Sequence, residues 1–274
     1  MTFRERLQAA QERNQSLLCI GLDPDPDLLQ GRHIVSFLQA IIEATMDLVC
    51  CYKPNLAFFE ALGPGGMSML QEALAPVPPE IPVIADAKRA DVPNVSRLYA
   101  RALFEVYGFD AVTVHPYGGS DSLLPFVEYE DRGVFVWCRG SNPGAADVQS
   151  LPLADGRPLF LAVAQLARNL DRAGNVGLVV GATAPEDMAL LRRACPDMPF
   201  LVPGVGPQGG DLRAAVEAGL DDRGGGLIVV AARQVLFASR DRDFAQAARR
   251  EALALREEIQ RARAEALAAR RGGR

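Results

Sequence analysis

Eight short runs, apolar almost throughout and rich in Val and Ile, recur along the chain, each followed by a helix-forming or loop stretch. They are "LLCIGL" (17–22), "LVCCYKP" (48–54), "PVIAD" (82–86), "DAVTVH" (110–115), "GVFVWC" (133–138), "VGLVVG" (176–181), "PFLVPG" (199–204) and "GLIVVA" (226–231). A strand with one wet face alternates apolar and polar residues, whereas a strand apolar at nearly every position is covered on both faces. That is the setting of a parallel sheet flanked by helices. Helical stretches fall between the runs at 33–47, 94–107, 158–173, 185–194 and 211–219. An Arg/Ala/Glu-rich helix is expected from about 241 to 269, with a frayed tail at 270–274. Eight such units in a chain of this length predict an α/β protein: one (β/α)8, or TIM, barrel domain over residues 1–274 that ends in a long helix. An open doubly wound sheet is the alternative.

Composition bounds the function. The 274 residues are 49% hydrophobic and 23% charged, which is ordinary for a folded chain. The formal net charge of −5 argues against a nucleic-acid surface but leaves room for a local cationic pocket. Cys19, Cys50, Cys51, Cys138 and Cys195 form an odd set without CxxC spacing and mostly lie in apolar runs, so they read as buried, reduced thiols. The start, "MTFRERLQAAQERN", lacks an apolar signal core, and no apolar run is long enough to span a bilayer. The expectation is a soluble cytoplasmic protein with no membrane and no nucleic-acid partner.

In a barrel of this kind the site lies at the C-terminal ends of the strands. Asp23 follows the first run, Lys53 ends the second, Asp86 the third and His115 the fourth. Ser141 and Asn142 follow the fifth, "PGVGPQGGD" the seventh and Arg233 the eighth. The chain has only two lysines among 29 basic residues, Lys53 and Lys88, and both fall at adjacent strand mouths. Lysine can donate a proton and its pKa responds to burial and neighbours, whereas guanidinium stays charged. In "VIADAKRADVPN", Asp86 and Lys88 are two apart and would project to one side of an extended chain. Asp91 lies three further on, where period gives no direction. A solvated salt bridge is the bland reading of this D-x-K, and the second lysine on the neighbouring strand weighs against it.

The glycine-rich "PGVGPQGGDLRAAVEAG" precedes a helix beginning near Asp211. Backbone N–H groups there, including that of Gly209, together with the helix N-terminus suit a phosphate, and Arg233 one strand later fits the phosphate position of many barrels. His33 and His115 are too far apart to build a zinc site, and no carboxylate cluster has ligand spacing. Hydrolase-elbow, P-loop and dinucleotide motifs are missing from the sequence. Trp137 and the pair Phe58–Phe59 read most simply as core.

"LCIGLDPD", "YKPNLAFFE", "VIADAKRADVPN", "TVHPYGG", "RGSNPGAADVQ", "PGVGPQGGD" and the arginine of "VVAARQVLFAS" occur in the order found in the orotidine 5′-phosphate decarboxylase family. The chain resembles the longer bacterial (type 2) branch from about residue 16 to 240. The resemblance implies decarboxylation of orotidine 5′-phosphate to uridine 5′-phosphate without metal or organic cofactor. Lys88 would be the proton donor to pyrimidine C6, and Asp86 would lie beside the substrate carboxylate. Lys53 and Asp23 would hold ribose hydroxyls, Ser141 would contact the pyrimidine, and Gln208, Gly209 and Arg233 would secure the phosphate. Asp91 would reach the partner's site in a homodimer. One departure from the pattern is Val95, where the family usually has threonine, with Ser96 beside it.

Two other readings share part of this pattern. Related barrels, the 3-keto-gulonate-phosphate decarboxylases and hexulose-phosphate synthases, resemble the chain at D-x-K-x-x-D. They hold a metal partly through a glutamate after strand two, where this chain has Lys53. A silent barrel that only binds a phosphorylated ligand would be expected to lose Lys88 or an aspartate, and all are present.

Overall fold

The computed structural model describes residues 1–206 and 209–272. Eight strands run parallel: β1 (Leu18–Leu22), β2 (Cys51–Pro54), β3 (Ile84–Ala85), β4 (Ala111–Val114), β5 (Gly133–Arg139), β6 (Val176–Val180), β7 (Phe200–Val202) and β8 (Leu227–Ala231). Their lateral order is β2-β1-β8-β7-β6-β5-β4-β3. The two ends of that series meet through bridges from Tyr52 to Val83 and from Asn55 to Asp86. Tyr52 N–H donates to Pro82 O and Asp86 N–H to Pro54 O, so the sheet closes on itself as a barrel and the open-sheet alternative is set aside.

The longer helices are α1 (Phe3–Asn14), α2 (Ile34–Thr45), α3 (Gly66–Leu74), α4 (Pro93–Arg101), α5 (Ser120–Val127), α6 (Leu159–Leu170), α7 (Pro185–Ala194), α8 (Leu212–Gly219) and α9 (Phe244–Gly272). Single helical turns lie at Pro26–Leu29, Leu56–Glu60, Ala146–Gln149 and Arg233–Leu236. One large core fills the space between sheet and helices, and a second, smaller one fills the barrel lumen.

The lumen obeys the two-residue period of a strand. Cys19, Cys51, Ile84, Ala111, Phe135 and Ile228 form its lower part. From below, α1 closes it: a Thr2–Glu5 capping box starts the helix, and Phe3 meets the Phe135 ring edge-on at 5.8 Å. The bulk of Phe135 is accommodated because β6 carries Gly177 beside it. A Cβ there would fall 2.6 Å from the Phe135 ring.

Several boundaries differ from those read in the sequence, each for a local reason. Expected strand 48–54 begins only at Cys51, because the Asn14 side chain takes the Met46 and Val49 carbonyls as acceptors. Expected strand 82–86 shortens to two residues: Pro82 has no N–H, and Val83 N–H donates to Asp110 Oδ2. Expected helix 94–107 is α4 followed by a widened π-type turn, Ala102–Val106. The last helix runs to Gly272 rather than about 269. Arg270, the first residue of the segment expected to fray, donates from α9 to the Asp221, Glu217 and Leu220 carbonyls. Along α9, Ala248, Ala252, Leu255, Ile259, Ala262 and Ala266 make the buried stripe against α2 and α8.

Arg192 joins four elements and, among the described residues, has no directly bonded carboxylate. Its guanidinium donates to the carbonyls of Gly219, Cys195, Pro196, Met198 and Gly226, and lies 3.7 Å from the Phe200 ring centroid. These are the ends of α7 and α8 and the entrances of β7 and β8. Arg192→Met keeps the apolar stem but strands buried acceptors, so it should lower the unfolding free energy by about 3 kcal/mol. Urea unfolding with an unchanged slope checks this, and a loss under about 1 kcal/mol would contradict the assigned role.

Candidate active site

The cavity at the C-terminal mouth of the barrel has a volume of about 270 Å3. Moving up the lumen by the strand period replaces the apolar residues of the lower part with Lys53 on β2, Asp86 just past β3, Thr113 on β4 and Trp137 on β5. The opposite wall stays apolar, with Val179, Leu201 and Val230. One polar arc therefore faces one apolar arc, a division suited to a flat ring carrying charged substituents.

Asp86 is the hub of the polar arc. Its Oδ2 accepts from Lys53 Nζ at 2.8 Å, and its Oδ1 accepts from Lys88 Nζ at 2.6 Å and Thr113 Oγ1 at 2.9 Å. The side chains of Lys53 and Asp86 are 5% and 12% exposed, whereas that of Lys88 is 33% exposed and reaches the open cavity. Burial by itself would push the Asp86 carboxyl up, but the two ammoniums outweigh it and hold the group well below the usual carboxylate range. Burial would likewise depress Lys53, and the charges of Asp86 and Asp23 reverse that and hold it above the usual lysine value. Asp23 is different. Desolvation raises its carboxyl, and the attraction of Lys53 offsets this only in part. Its Oδ1 accepts the Asn55 N–H at 3.3 Å.

Lys88 does not reach Asp86 by strand alternation, as the spacing suggested. The chain leaves β3 at Ala85, and Lys88 adopts φ +46°, a left-handed conformation that costs a non-glycine residue about 1–2 kcal/mol. Surrounding groups hold it there. Thr113 Oγ1 accepts the backbone N–H groups of Ala87 and Lys88, both at 3.0 Å. Arg89 donates back to Ala87 O and pairs with Glu60, and the His115 ring hydrogen-bonds Ala90 O. His115 thus braces the loop from beneath.

Of the residues singled out in the sequence, Asp23, Lys53, Asp86, Lys88, Ser141 and Arg233 all line this cavity. Gln208 lies outside the described residues. Gly209 is not among the lining residues, and its N–H donates to Gly206 O at 2.8 Å. The helix N-terminus expected to help bind phosphate is capped from within: Asp211 Oδ1 accepts from Ala214 N–H at the start of α8 and puts a carboxylate where an anion would sit. Asp91 is exposed and points its Oδ1 at Val92 N–H, outside the cluster of its own chain. The segment 143–157 folds back on itself, with Leu153 N–H donating to Arg157 O and a bridge between Pro152 and Pro158.

Thr113, Asn55 and Trp137 line the cavity but were not picked out as site residues. Thr113 and Trp137 carried a signal all the same: each sits at the lumen-facing parity of its strand, two residues above Ala111 and Phe135 respectively. Phe59 is fully buried, as core residues are; Trp137 is not. Among the described residues no cluster of three His, Cys, Asp or Glu side chains could hold a metal ion, and no helix is long and apolar enough to cross a membrane.

Residues 16–250 match the model of the orotidine 5′-phosphate decarboxylase / HUMPS family. The chain is 52% identical over 273 residues to an orotidine 5′-phosphate decarboxylase of Thermomicrobium roseum, covering 97% of each protein. Among solved structures it is similar to Leishmania donovani OMP decarboxylase (TM-score 0.84, 40% identity, 96% of this chain and 99% of that one). It is also similar to Leishmania donovani UMP synthase (TM-score 0.86, 42% identity), of which it covers 57% with 96% of its own length.

The opposed carboxyls of Asp86 and Asp23 make a sign test. Asp86 is held low, so its contribution to stability is present above its unfolded-state value and is lost as pH falls through the folded one. Asp23 is held high, so the stability present below its unfolded-state value is lost as pH rises through the folded one. Asp86→Asn should therefore destabilise the protein at about pH 7 by a margin that narrows at about pH 3. Asp23→Asn should stabilise it at about pH 7 by a margin that vanishes on acidification. Urea titrations at both pH values give the two differences, and a common sign would contradict this electrostatic assignment.

Proposed function

The chain belongs to the orotidine 5′-phosphate decarboxylase / HUMPS family, and on that footing we propose that it converts orotidine 5′-phosphate to uridine 5′-phosphate and CO2, the closing step of de novo UMP synthesis. The observation that carries this reading is Asp86 bridging the chain's two lysines at the cavity wall, with Arg233 lining the same cavity. The C6–carboxylate bond breaks, its electron pair stays on C6, and Lys88 Nζ delivers a proton to that carbon. The neutral amine then recovers a proton from solvent, to which Lys88 is open.

No conjugated electron sink is available at C6, so stabilisation must come from fixed charge. The Lys88 ammonium supplies it beside the reacting carbon in a site already organised for it. Asp86, kept ionised by its two partners, would face the incoming carboxylate, and their repulsion ends as CO2 leaves. Lys53 and Asp23 would hold the ribose hydroxyls, and Ser141 the pyrimidine. Arg233, with Gln208 and Gly209, would grip the phosphate, whose remote binding energy can be used in the transition state. The metal-dependent readings within the same family are disfavoured by Lys53, a cation where those enzymes would place a metal-holding carboxylate. The reaction would run without metal or cofactor, and the protein would work in the cytoplasm.

A homodimer would complete the site. Asp91 does not line its own cavity, and the segments around it expose Val92, Leu98, Tyr99, Tyr117 and Leu124, a set of large apolar side chains suited to a second copy of the chain. From there Asp91 would add its carboxylate to the partner's Lys88 array.

Purified protein with orotidine 5′-phosphate and EDTA should show loss of pyrimidine absorbance; no turnover, or turnover only on adding Mg2+, would sink the assignment. Lys88→Ala should lower kcat/KM by about 10^3-fold or more. Mixing inactive Asp91→Ala and Lys88→Ala homodimers should restore activity, since hybrid dimers carry one intact site. No recovery despite demonstrated subunit exchange would contradict the shared site.

A further inference from the structure

Trp137 is the chain's sole tryptophan and lines the cavity with Lys53 and Thr113, two residues beyond Phe135 on β5. It is only partly buried, it lines the cavity, and Lys88 Nζ lies 5.6 Å from its ring centroid. The backbone leaves room for it. Gly140 is buried just beyond β5, and a Cβ there would fall 3.4 Å from the indole Nε1, besides crowding Ala145 Cβ at 3.1 Å and Asn142 Oδ1 at 2.8 Å.

A lysine side chain has four rotatable bonds, and its ammonium follows whatever attracts it. With Asp86 alone, Lys88 Nζ would be held by an acceptor that also competes for the proton to be delivered. The face of an indole attracts an ammonium through its quadrupole and offers no lone pair to take a proton. The attraction also lapses once the amine is neutral, so it acts while the proton is still on nitrogen.

We propose that Trp137 is a positioning residue for Lys88, a second anchor that holds the ammonium over the cavity without competing for its proton. The inference rests on Lys88 acting as the proton donor. Because the chain has no other tryptophan, emission excited selectively in the indole band reports on this ring alone.

Two measurements test it. Lys88→Met should change the intensity or maximum of Trp137 emission, while Arg213→Gln, on the exposed face of α8, should not. In turnover of orotidine 5′-phosphate, Trp137→Leu should lower kcat by about fivefold with a smaller change in KM, and Trp137→Phe, which keeps a π face, should recover most of that loss. Emission indifferent to Lys88→Met, or equal kcat for the Leu and Phe variants at matched thermal stability, would overturn the proposal. Wild-type protein that fails to turn over the substrate would instead overturn the decarboxylase reading, and the emission measurement would still decide whether ring and ammonium interact.

Discussion

A carboxylate shared by two ammoniums inside a barrel is the constraint on which the upper half of this molecule depends. Lys53 and Asp86, the most buried members of the Lys53–Asp86–Lys88 set, would each cost several kcal/mol to bury alone, and removing Asp86 leaves two ammoniums without their shared counter-charge. Such a set is weak as a source of stability but strict as a geometric device. Lys53 cannot leave Asp86 without losing its principal counter-charge, and Asp86 cannot rotate without breaking bonds to Lys53, Lys88 and Thr113. Asp23 brings the formal charge of the group to zero, and burial holds its own carboxyl above the usual value. A negatively charged ligand would enter a site whose charges were fixed in advance, which is the condition for electrostatic stabilisation without reorganisation.

The lower half of the lumen makes that possible by being inert. Phe3, Phe135 and the glycine beside it seal the floor, and Cys19, Cys51, Ile84 and Ala111 fill it with small or apolar groups. Water is kept from the charged layer on its underside, so the effective dielectric there is low and each charge interaction is stronger than at a surface. The same two-residue step that places Cys51 in the floor places Lys53 in the site, and the step from Ala111 leads to Thr113. Fold and site are one alternation read at two heights.

That alternation explains what was legible in the chain. Parallel strands buried on both faces leave their apolar runs plain to see, and their ends mark the mouth, so Asp23, Lys53, Asp86, Lys88, Ser141 and Arg233 could be named from order and residue type. What could not be read depends on contacts distant in sequence. Asn14 draws the Val49 carbonyl away from the ladder, and Arg270 pins the end of the last helix to the α8 turn. Lys88 takes a left-handed conformation that spacing does not encode, and Asp211 caps its own helix where an anion was expected. Trp137 shows the limit most clearly. Identity alone marks a tryptophan as core, and only its parity relative to Phe135 places it beside Lys88.

The loop carrying Asp91 is likewise held by hydrogen bonds to a buried side chain. Ser96, fully buried, donates its hydroxyl to Asp91 O at 2.9 Å and accepts the Asp91 N–H at 3.0 Å. Both polar functions of that serine are occupied in holding the turn, so Ser96 does not replace the threonine hydroxyl that the resemblance leads one to expect at Val95. Val95 itself is half-buried on α4, close in the chain to the exposed Val92, Leu98 and Tyr99. If a second copy of the chain covers that surface, a β-branched apolar residue there gives up a polar contact to the bound ligand and adds apolar contact between subunits. The substitution would then shift part of the binding energy from ligand to assembly, leaving the Lys53–Asp86–Lys88 chemistry untouched.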